Sequence, residues 1–363
     1  MARRGVRGLL LGAALSLCAC ASSAGDDVRA RSAQAPALTL RQAVGQHMVF
    51  AYDGLVAPRD LRRRIARGEA AGVILFARNV RSAAQVRAAT RSLQAIRRPA
   101  GLDAPLLVMA DQEGGPVRRI PGAPRRAAAD AGTAGRAAAD GRAAASTLRS
   151  AGVNLDLAPV ADVARPGAAL ERERRTYGRS AGAVAALAAA FAGGLRRGGV
   201  QATAKHFPGF GAADVNTDAA PARITTSLAV LRATDEAPFG RLIAGGIGAV
   251  MLSTGVYPAL DERPAAFSAK WIAGELRGRL GFDGVTVSDD LATPAVAGLG
   301  SLGRRAVLAL RAGVDLPLFV SSYSTGRQAA AGLLDAARNR RVDVAGLRAS
   351  ARRVLALRAK LSR

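Results

Sequence analysis

Cysteine, histidine and lysine are all scarce in this sequence of 363 residues. The only two cysteines, Cys18 and Cys20, lie near the N-terminus, so the rest of the chain can form neither a disulfide nor a thiolate metal site. Lysine occurs only three times although the formal net charge is +25, so arginine carries nearly all of the positive charge. We attribute this bias to nucleotide composition and not to a nucleic-acid-binding surface.

Aromatic residues make up only 4% of the chain and are scattered along it. Nucleic-acid-binding surfaces commonly interleave basic residues with aromatic ones, so we expect no nucleic-acid partner. The glycine-rich dinucleotide fingerprint and the phosphate-binding loop are both missing, which argues against nucleotide chemistry. We also expect no metal or organic cofactor, because the sequence holds no cluster of ligating side chains.

One apolar run, 8–19, follows three arginines near the N-terminus. It is too short to span a bilayer as a stable helix, but it suits the core of a signal peptide. The run leads into the sequence LCAC, which resembles a bacterial lipoprotein cleavage site with Cys20 as the lipidated residue. Ordinary secretory cleavage is the alternative. Both interpretations predict export, and the first predicts a lipid anchor in the cell envelope.

The rest of the chain contains no segment apolar enough to cross a membrane. Residues 21–37 are rich in alanine, serine and aspartate, which is typical of a disordered tether. We therefore predict a signal peptide over 1–20, a tether over 21–37 and one folded domain over 38–363, which we expect to be monomeric.

From about residue 38, short apolar runs alternate with longer stretches of helical period. This alternation predicts a parallel α/β sheet with buried strands. The predicted strands are 72–76, 105–111, 154–160, 202–206, 248–254, 284–289 and 314–320. The predicted helices are 59–67, 83–96, 136–151, 181–197, 228–245, 268–280, 303–312 and 324–339.

A doubly wound sheet and a (β/α)8 barrel would both give this pattern, and two features favour the barrel. The alternation continues for roughly 300 residues without a linker, near the usual size of that fold. Polar residues also stand at or just beyond the ends of several predicted strands, where barrel enzymes assemble their active sites. These residues are Asp111, Asp162, His206, Thr254 and Asp289. We predict a single-domain (β/α)8 TIM-type barrel.

Six stretches of the sequence carry a resemblance to a known family. They are LLVMADQEGGPVRRI (106–120), GVNLDLAPVADV (152–163), RTYG (175–178), KHFPGFG (205–211), VMLSTGVYPALD (250–261) and LGFDGVTVSDDL (280–291). In order and spacing they resemble a bacterial family 3 glycoside hydrolase of the single-domain β-N-acetylglucosaminidase type. The resemblance implies a (β/α)8 barrel. It also implies retaining hydrolysis of β-N-acetylhexosaminides, with cell-wall-derived saccharides such as peptidoglycan fragments as the carbohydrate substrate.

The resemblance also assigns roles to particular residues. It makes Asp289 the nucleophile that forms a covalent glycosyl-enzyme, for which a carboxylate is needed beside an oxocarbenium-like transition state. It makes four residues ligands of the sugar hydroxyls: Asp111, Arg175, Lys205 and His206. Asp162 is expected to brace the site, and His47 to be a buried residue near the core.

The sequence departs from the family where the acid/base should stand. In this branch an Asp-Ser/Thr-His dyad on a mobile loop supplies it, and the aligned positions here hold Asn216, Thr217 and Asp218. Asp218 could serve as the acid/base if burial or a nearby anion raises its pKa, with Asp214 as a weaker candidate. The alternatives are a catalytically impaired glycan-binding envelope lipoprotein and an enzyme of altered specificity. By itself, 216–218 could also be an ordinary turn or helix cap.

Overall fold

The computed structural model of the chain describes residues 38–361. The predicted signal peptide, the tether and Cys20 lie outside this described part. Within it, eight parallel strands pair in chain order into one sheet. They are β1 (Val49–Phe50), β2 (Gly72–Ile74), β3 (Leu107–Ala110), β4 (Leu155–Asp156), β5 (Gln201–Phe207), β6 (Ala249–Leu252), β7 (Val285–Asp290) and β8 (Leu316–Leu318). A parallel bridge between Phe50 and Phe319 brings the two edge strands together and nearly closes the barrel.

Helices follow every strand and surround the sheet, so the predicted (β/α)8 barrel is confirmed. Among residues 38–361 the longer α-helices are α1 (Leu40–Gly45), α2 (Arg59–Ala66), α3 (Ala83–Gln94), α4 (Ala134–Ser150), α5 (Ala181–Arg197), α6 (Ala237–Ala244), α7 (Leu302–Ala312), α8 (Tyr323–Arg338) and α9 (Val344–Ala359). Short helical turns occupy Ala77–Asn79, Ala128–Asp130, Ala169–Arg172, Leu228–Val230, Ala265–Phe267 and Pro294–Leu299, and π-helices occupy Leu231–Asp235 and Lys270–Arg279. Two hairpins, Gln112–Gly114 with Val117–Arg118 and Val256–Tyr257 with Asp261–Pro264, extend from the ends of β3 and β6.

The structure corrects the sequence prediction at four places. The prediction missed β1, α1 and α9. The helix predicted over 228–245 is divided into a helical turn, a π-helix and α6. Five of the seven predicted strands are longer than the observed ones, because the apolar runs continue into buried residues outside the strands, such as Leu157, Val160 and Val320.

Serine and threonine residues fix where most helices begin. The side chains of Ser82, Thr133, Ser180, Ser301 and Ser322 each accept a hydrogen bond from the backbone N–H three residues later. Such N-caps satisfy backbone donors that a helix start otherwise leaves unpaired. The caps define the mouth end of the barrel, because each helix starts near the carboxyl end of the preceding strand.

Two apolar clusters divide the interior of the molecule. The inner cluster fills the barrel with alternate strand residues, including Leu107, Met109, Val285 and Val287, while the outer cluster lies between the strands and the helices. Leu357 of α9 belongs to the inner cluster. The C-terminal helix therefore closes the amino-terminal end of the barrel, which we call the base, and leaves the mouth as the open end.

Candidate active site

A cavity of about 500 Å³ opens at the mouth of the barrel. It is lined by all six residues that the sequence predicts as catalytic or sugar-binding, namely Asp111, Arg175, Lys205, His206, Asp218 and Asp289. They come from the ends of three strands and from two mouth loops. The structure thus brings together residues that lie up to 178 positions apart in the sequence (289 − 111).

Lys205 stands in the floor of this cavity between two carboxylates. Its Nζ lies 2.7 Å from Asp111 Oδ1 and 2.7 Å from Glu113 Oε1. Burial lowers the pKa of Lys205, but the charges of Asp111 and Glu113 outweigh that effect and hold the pKa above its ordinary value. Lys205 is therefore a fixed cation that can donate to a sugar hydroxyl.

Arg175 reaches the same buried anion from the loop after β4. Its Nε and Nη2 donate to the two oxygens of Glu113 at 2.9 and 2.8 Å, and its Nη1 donates to Glu173 at 2.9 Å. Burial acts to raise the pKa of Glu113, and the charges of Arg175 and Lys205 reverse this and bring the pKa below its usual range. Glu113 is therefore ionised and holds both cations in place.

His206 is oriented by a buried aspartate beneath it. Asp162 accepts hydrogen bonds from the backbone N–H of His206 at 3.1 Å and from that of Phe210 at 2.6 Å, and its Oδ2 lies 2.7 Å from His206 Nδ1. A neutral imidazole that donates from Nδ1 to Asp162 keeps Nε2 as an acceptor. The bracing position expected of Asp162 is the one it occupies.

At the end of β7, Asp289 lines the cavity, whereas its neighbours Ser288 and Asp290 make hydrogen bonds to the backbone of the barrel. Ser288 accepts a hydrogen bond from the Leu318 backbone at 2.9 Å, and Asp290 Oδ1 accepts one from Ala292 N–H at 2.9 Å. Asp289 accepts one from the N–H of Asp290 at 2.9 Å. Because its neighbours carry the structural hydrogen bonds, the Asp289 carboxylate can face the cavity.

The loop that follows β5 carries Asp218, and both ends of the loop are fixed. The carbonyls of Gly211 and Ala213 accept backbone hydrogen bonds at 3.0 and 2.9 Å, and Ile224 N–H donates to the Val256 carbonyl at 2.8 Å. Within the loop, the side chain of Asn216 accepts from Asp218 N–H at 3.0 Å. The position aligned with the family's dyad aspartate thus makes a turn that presents Asp218.

Asp218 lies at the exposed rim of the cavity, and its carboxyl group is partly buried there. Burial raises the pKa of Asp218, the charges of Asp289 and Asp290 raise it further, and His206 and Arg175 act in the opposite direction. Asp214 is exposed and is not among the residues that line the cavity, so the weaker candidate lies outside this site. His47 is fully buried near the base, between the carbonyls of Asp315 and Leu347, as expected of a core residue.

Several residues of the cavity were not predicted from the sequence. Glu113 was assigned no role, although it is the buried anion that joins two predicted ligands. Arg119 lies with its Nε 3.7 Å from Asp111 Oδ2, a distance too long for a hydrogen bond, and its Nε is buried without an acceptor. Arg78 stacks over the ring of Phe76 at 4.7 Å. The sequence DQEGG offered the one usable signal, a second carboxylate two residues after Asp111.

The cavity can therefore hold a small polyhydroxylated molecule between charged groups of both signs, and two carboxyl groups, those of Asp218 and Asp289, are part of its lining. Within residues 38–361, no group of three or more histidine, cysteine, aspartate or glutamate side chains is placed to hold a metal ion. No helix of that same part is both long and apolar enough to cross a bilayer.

Comparison with known proteins gives one consistent result. Residues 39–357 match the model of the glycosyl hydrolase family 3 N-terminal domain. An uncharacterised secreted glycosyl hydrolase of Arthroderma benhamiae is 38% identical over 341 residues, which are 90% of this chain and 96% of that protein. A beta-hexosaminidase of Chromobacterium violaceum is 38% identical over 270 residues, 71% of this chain and 73% of the relative.

Solved structures agree with the sequence relatives. A family 3 β-N-acetylglucosaminidase from a Paenibacillus species superposes with a TM-score of 0.83 and 35% identity over 89% of this chain, which spans only 63% of that longer chain. A β-N-acetylhexosaminidase from Beutenbergia cavernae superposes with a TM-score of 0.80 and 34% identity, covering 88% of this chain and 98% of the other.

Proposed function

Because the chain belongs to glycosyl hydrolase family 3, we propose that it acts as a retaining β-N-acetylhexosaminidase on cell-wall-derived saccharides such as peptidoglycan fragments. Its family membership makes the chain a glycoside hydrolase. The type of glycosidic linkage and the identity of the sugar are what we propose. The observation that carries the proposal is that Asp218 and Asp289 line one cavity together with the predicted sugar ligands. The beta-hexosaminidase relatives support an N-acetylhexosamine as the terminal sugar.

Asp289 is the proposed nucleophile. Its carboxylate attacks the anomeric carbon, the glycosidic C–O bond breaks, and the bonding electrons leave with the aglycone oxygen. The covalent glycosyl-enzyme is then hydrolysed by water, which restores the carboxylate and gives overall retention of configuration. Support comes from its place at the end of β7, where Ser288 and Asp290 bear the structural hydrogen bonds.

Asp218 is the proposed acid/base. In the first step it gives its proton to the departing oxygen, and in the second it takes a proton from the attacking water. This role needs a carboxyl group that is still protonated at the working pH. The raised pKa of Asp218, caused by burial and by the charges of Asp289 and Asp290, supports the role.

The remaining cavity residues are proposed to bind the terminal sugar. Asp111 accepts from sugar hydroxyls, whereas Lys205 and Arg175 donate to them. With Nδ1 held by Asp162, His206 keeps Nε2 for a hydrogen bond with a sugar hydroxyl. The network around Glu113 fixes these groups before the substrate arrives, which reduces the ordering cost of binding.

We also propose that the protein is exported, with residues 1–20 as the signal peptide, Cys20 as the lipidated residue, 21–37 as the tether and a monomeric domain over 38–363. The N-terminal sequence supports export, as does the secreted label of the Arthroderma benhamiae relative. Metabolic labelling with a radioactive fatty acid would test the anchor, and Cys20→Ala should abolish incorporation while Cys18→Ala should not.

The reaction itself is tested by hydrolysis of an aryl N-acetyl-β-glucosaminide and the matching β-glucoside, with the released anomer observed by NMR. We expect preference for the N-acetyl substrate, the β-anomer as the first product, and loss of turnover in Asp289→Asn. Initial release of the α-anomer would contradict a retaining mechanism. Sugar binding without turnover of either substrate by the wild-type chain would contradict the enzyme assignment.

A further inference from the structure

The base of the barrel carries a set of exposed arginines with a common origin. Each strand runs toward the mouth and the next helix returns, so helix C-termini lie at the base. Six helices carry an arginine in their last turn or just beyond it, and all six arginines are exposed. We call this set the basal arginine ring: Arg97, Arg149, Arg196, Arg241, Arg311 and Arg338.

None of these six arginines forms an ion pair with any residue of the described part, 38–361. Arg149 and Arg196 donate only to the backbone carbonyls of Gly198 and Gly245, at 3.2 and 2.7 Å, and Arg311 likewise donates to a carbonyl. A carbonyl does not cancel a unit charge. The ring therefore presents uncompensated positive charge to solvent.

The mouth of the barrel differs, because many of its arginines are paired with carboxylates. Examples are Arg78 with Asp53 at 3.0 Å, Arg126 with Asp140 at 3.0 Å and Arg223 with Glu262 at 2.7 Å. A composition bias toward arginine supplies both ends of the molecule equally. Pairing is incomplete at both ends, because Arg67 and Arg341 at the base pair with Glu69 and Asp335 and some mouth arginines have no carboxylate partner. The six arginines of the ring, however, all lack a carboxylate partner within 38–361.

The described chain also enters the fold at the base. The carbonyl of Leu38 accepts a hydrogen bond from Arg348 in the second turn of α9, the helix that closes this end of the barrel. Leu38 therefore lies at the same end of the barrel as the basal arginine ring. Thirty-seven residues precede Leu38 in the sequence.

We propose that the basal arginine ring docks against the surface of an anionic lipid bilayer, with the mouth of the barrel directed away from it. Each basic residue near such a surface strengthens association by about fivefold. The attraction acts over a Debye length of about 10 Å, so arginines spread across one end of the molecule can act together. The inference concerns a different surface from the cavity and does not depend on the reaction proposed for it.

Arginine at a helix C-terminus also stabilises the helix dipole, and that role alone would predict no partner. The test therefore compares two triple variants of the full chain. Arg97→Gln/Arg241→Gln/Arg338→Gln neutralises three ring arginines whose side chains make no hydrogen bond or ion pair within 38–361. Arg81→Gln/Arg136→Gln/Arg304→Gln removes the same charge from exposed arginines at the mouth ends of helices.

Co-sedimentation is measured with phosphatidylcholine vesicles and with vesicles that also contain phosphatidylglycerol, at low and high salt. The readout is the ratio of the two affinities, in which any contribution common to both lipids cancels. We expect the ring variant to lower this ratio by about 100-fold, at roughly fivefold per arginine. The mouth variant should keep a ratio near that of the wild type. High salt should remove the difference in this ratio between the ring variant and the wild type.

Three results would overturn the proposal. The two variants could lose anionic-vesicle binding equally, or the wild type could show no preference for anionic lipid. Alternatively, the ring could bind soluble polyglycerol phosphate but not vesicles, which would assign it to an anionic polymer. The thermal midpoint of both variants, measured in parallel, confirms that each is folded and keeps this test independent of the catalytic assignment.

Discussion

Arg175 donates hydrogen bonds to both oxygens of the buried Glu113 carboxylate, at 2.9 and 2.8 Å, and the Lys205 ammonium lies 2.7 Å from the same group. One anion therefore positions two cations of the cavity. Glu113→Gln keeps the shape of the side chain but removes its charge. We predict a fall in kcat/KM of about 10–100-fold, mainly through a higher KM, because both cations lose their anchor.

The matched control for this variant is Glu275→Gln. Glu275 is also buried and is also shared by two arginines, Arg232 and Arg279, but it lies outside the cavity. Steady-state kinetics with an aryl N-acetyl-β-glucosaminide, together with the thermal midpoint of each variant, separate positioning from stability. Equal losses of kcat/KM in the two variants would show that Glu113 has no special connection to the site.

Asp162→Asn tests the orientation of His206. The amide can still accept from the backbone, but it no longer holds the Nδ1 proton with a charged partner, so the ring loses its fixed tautomer. We predict a loss of about tenfold in kcat/KM, the size of one charge-assisted hydrogen bond. His206→Gln added to Asp162→Asn should cost much less than His206→Gln alone. Full additivity of the two losses would disprove the coupling.

The pH dependence of the rate follows from the raised pKa of Asp218. Burial and the charges of Asp289 and Asp290 favour its protonated form. With a poor leaving group, kcat/KM should fall as pH rises through this pKa, at a higher pH than for an ordinary aspartate. Asp290→Asn removes one of the anions while keeping an oxygen for the Ala292 N–H. It should move the alkaline limb to lower pH, and an unchanged limb would contradict the account.

The C-terminal helix should contribute strongly to stability because Leu357 packs into the barrel interior. Its side chain is 4% exposed. Leu357→Ala should lower the free energy of unfolding by about 2–4 kcal/mol, since it removes apolar contacts and leaves a cavity. Val56→Ala is the matched control, because Val56 is 76% exposed and should change stability by less than about 0.5 kcal/mol. Urea denaturation measures both.

The barrel could be predicted from sequence because its longer strands are continuous apolar runs that end in polar residues. The run before Asp289 is an example, since β7 is buried until it reaches the mouth. The two-residue strand Val49–Phe50 could not be predicted, because two residues display no periodicity. Helix α9 was missed although its sequence is helical, because its role in closing the base becomes visible only when the strands are assembled.

The site was predictable where a motif marked it and unpredictable where geometry alone connects the residues. KHFPG and SDD identified Lys205, His206 and Asp289. Glu113 was missed because its partner Arg175 is 62 positions away in sequence, so no local pattern reveals the contact. Which arginines find a carboxylate partner likewise depends on which carboxylates the fold brings near.

The most direct test of the central assignment is the leaving-group dependence of Asp218→Ala, with Asp214→Ala as the control from the same loop. Both variants and the wild type hydrolyse a series of aryl N-acetyl-β-glucosaminides whose leaving phenols range from acidic to weakly acidic. If Asp218 is the acid, its variant keeps activity on the most acidic phenols and loses increasing activity as the phenol becomes less acidic. The Asp214 variant should follow the wild type. Parallel dependences for the wild type and Asp218→Ala would contradict the assignment.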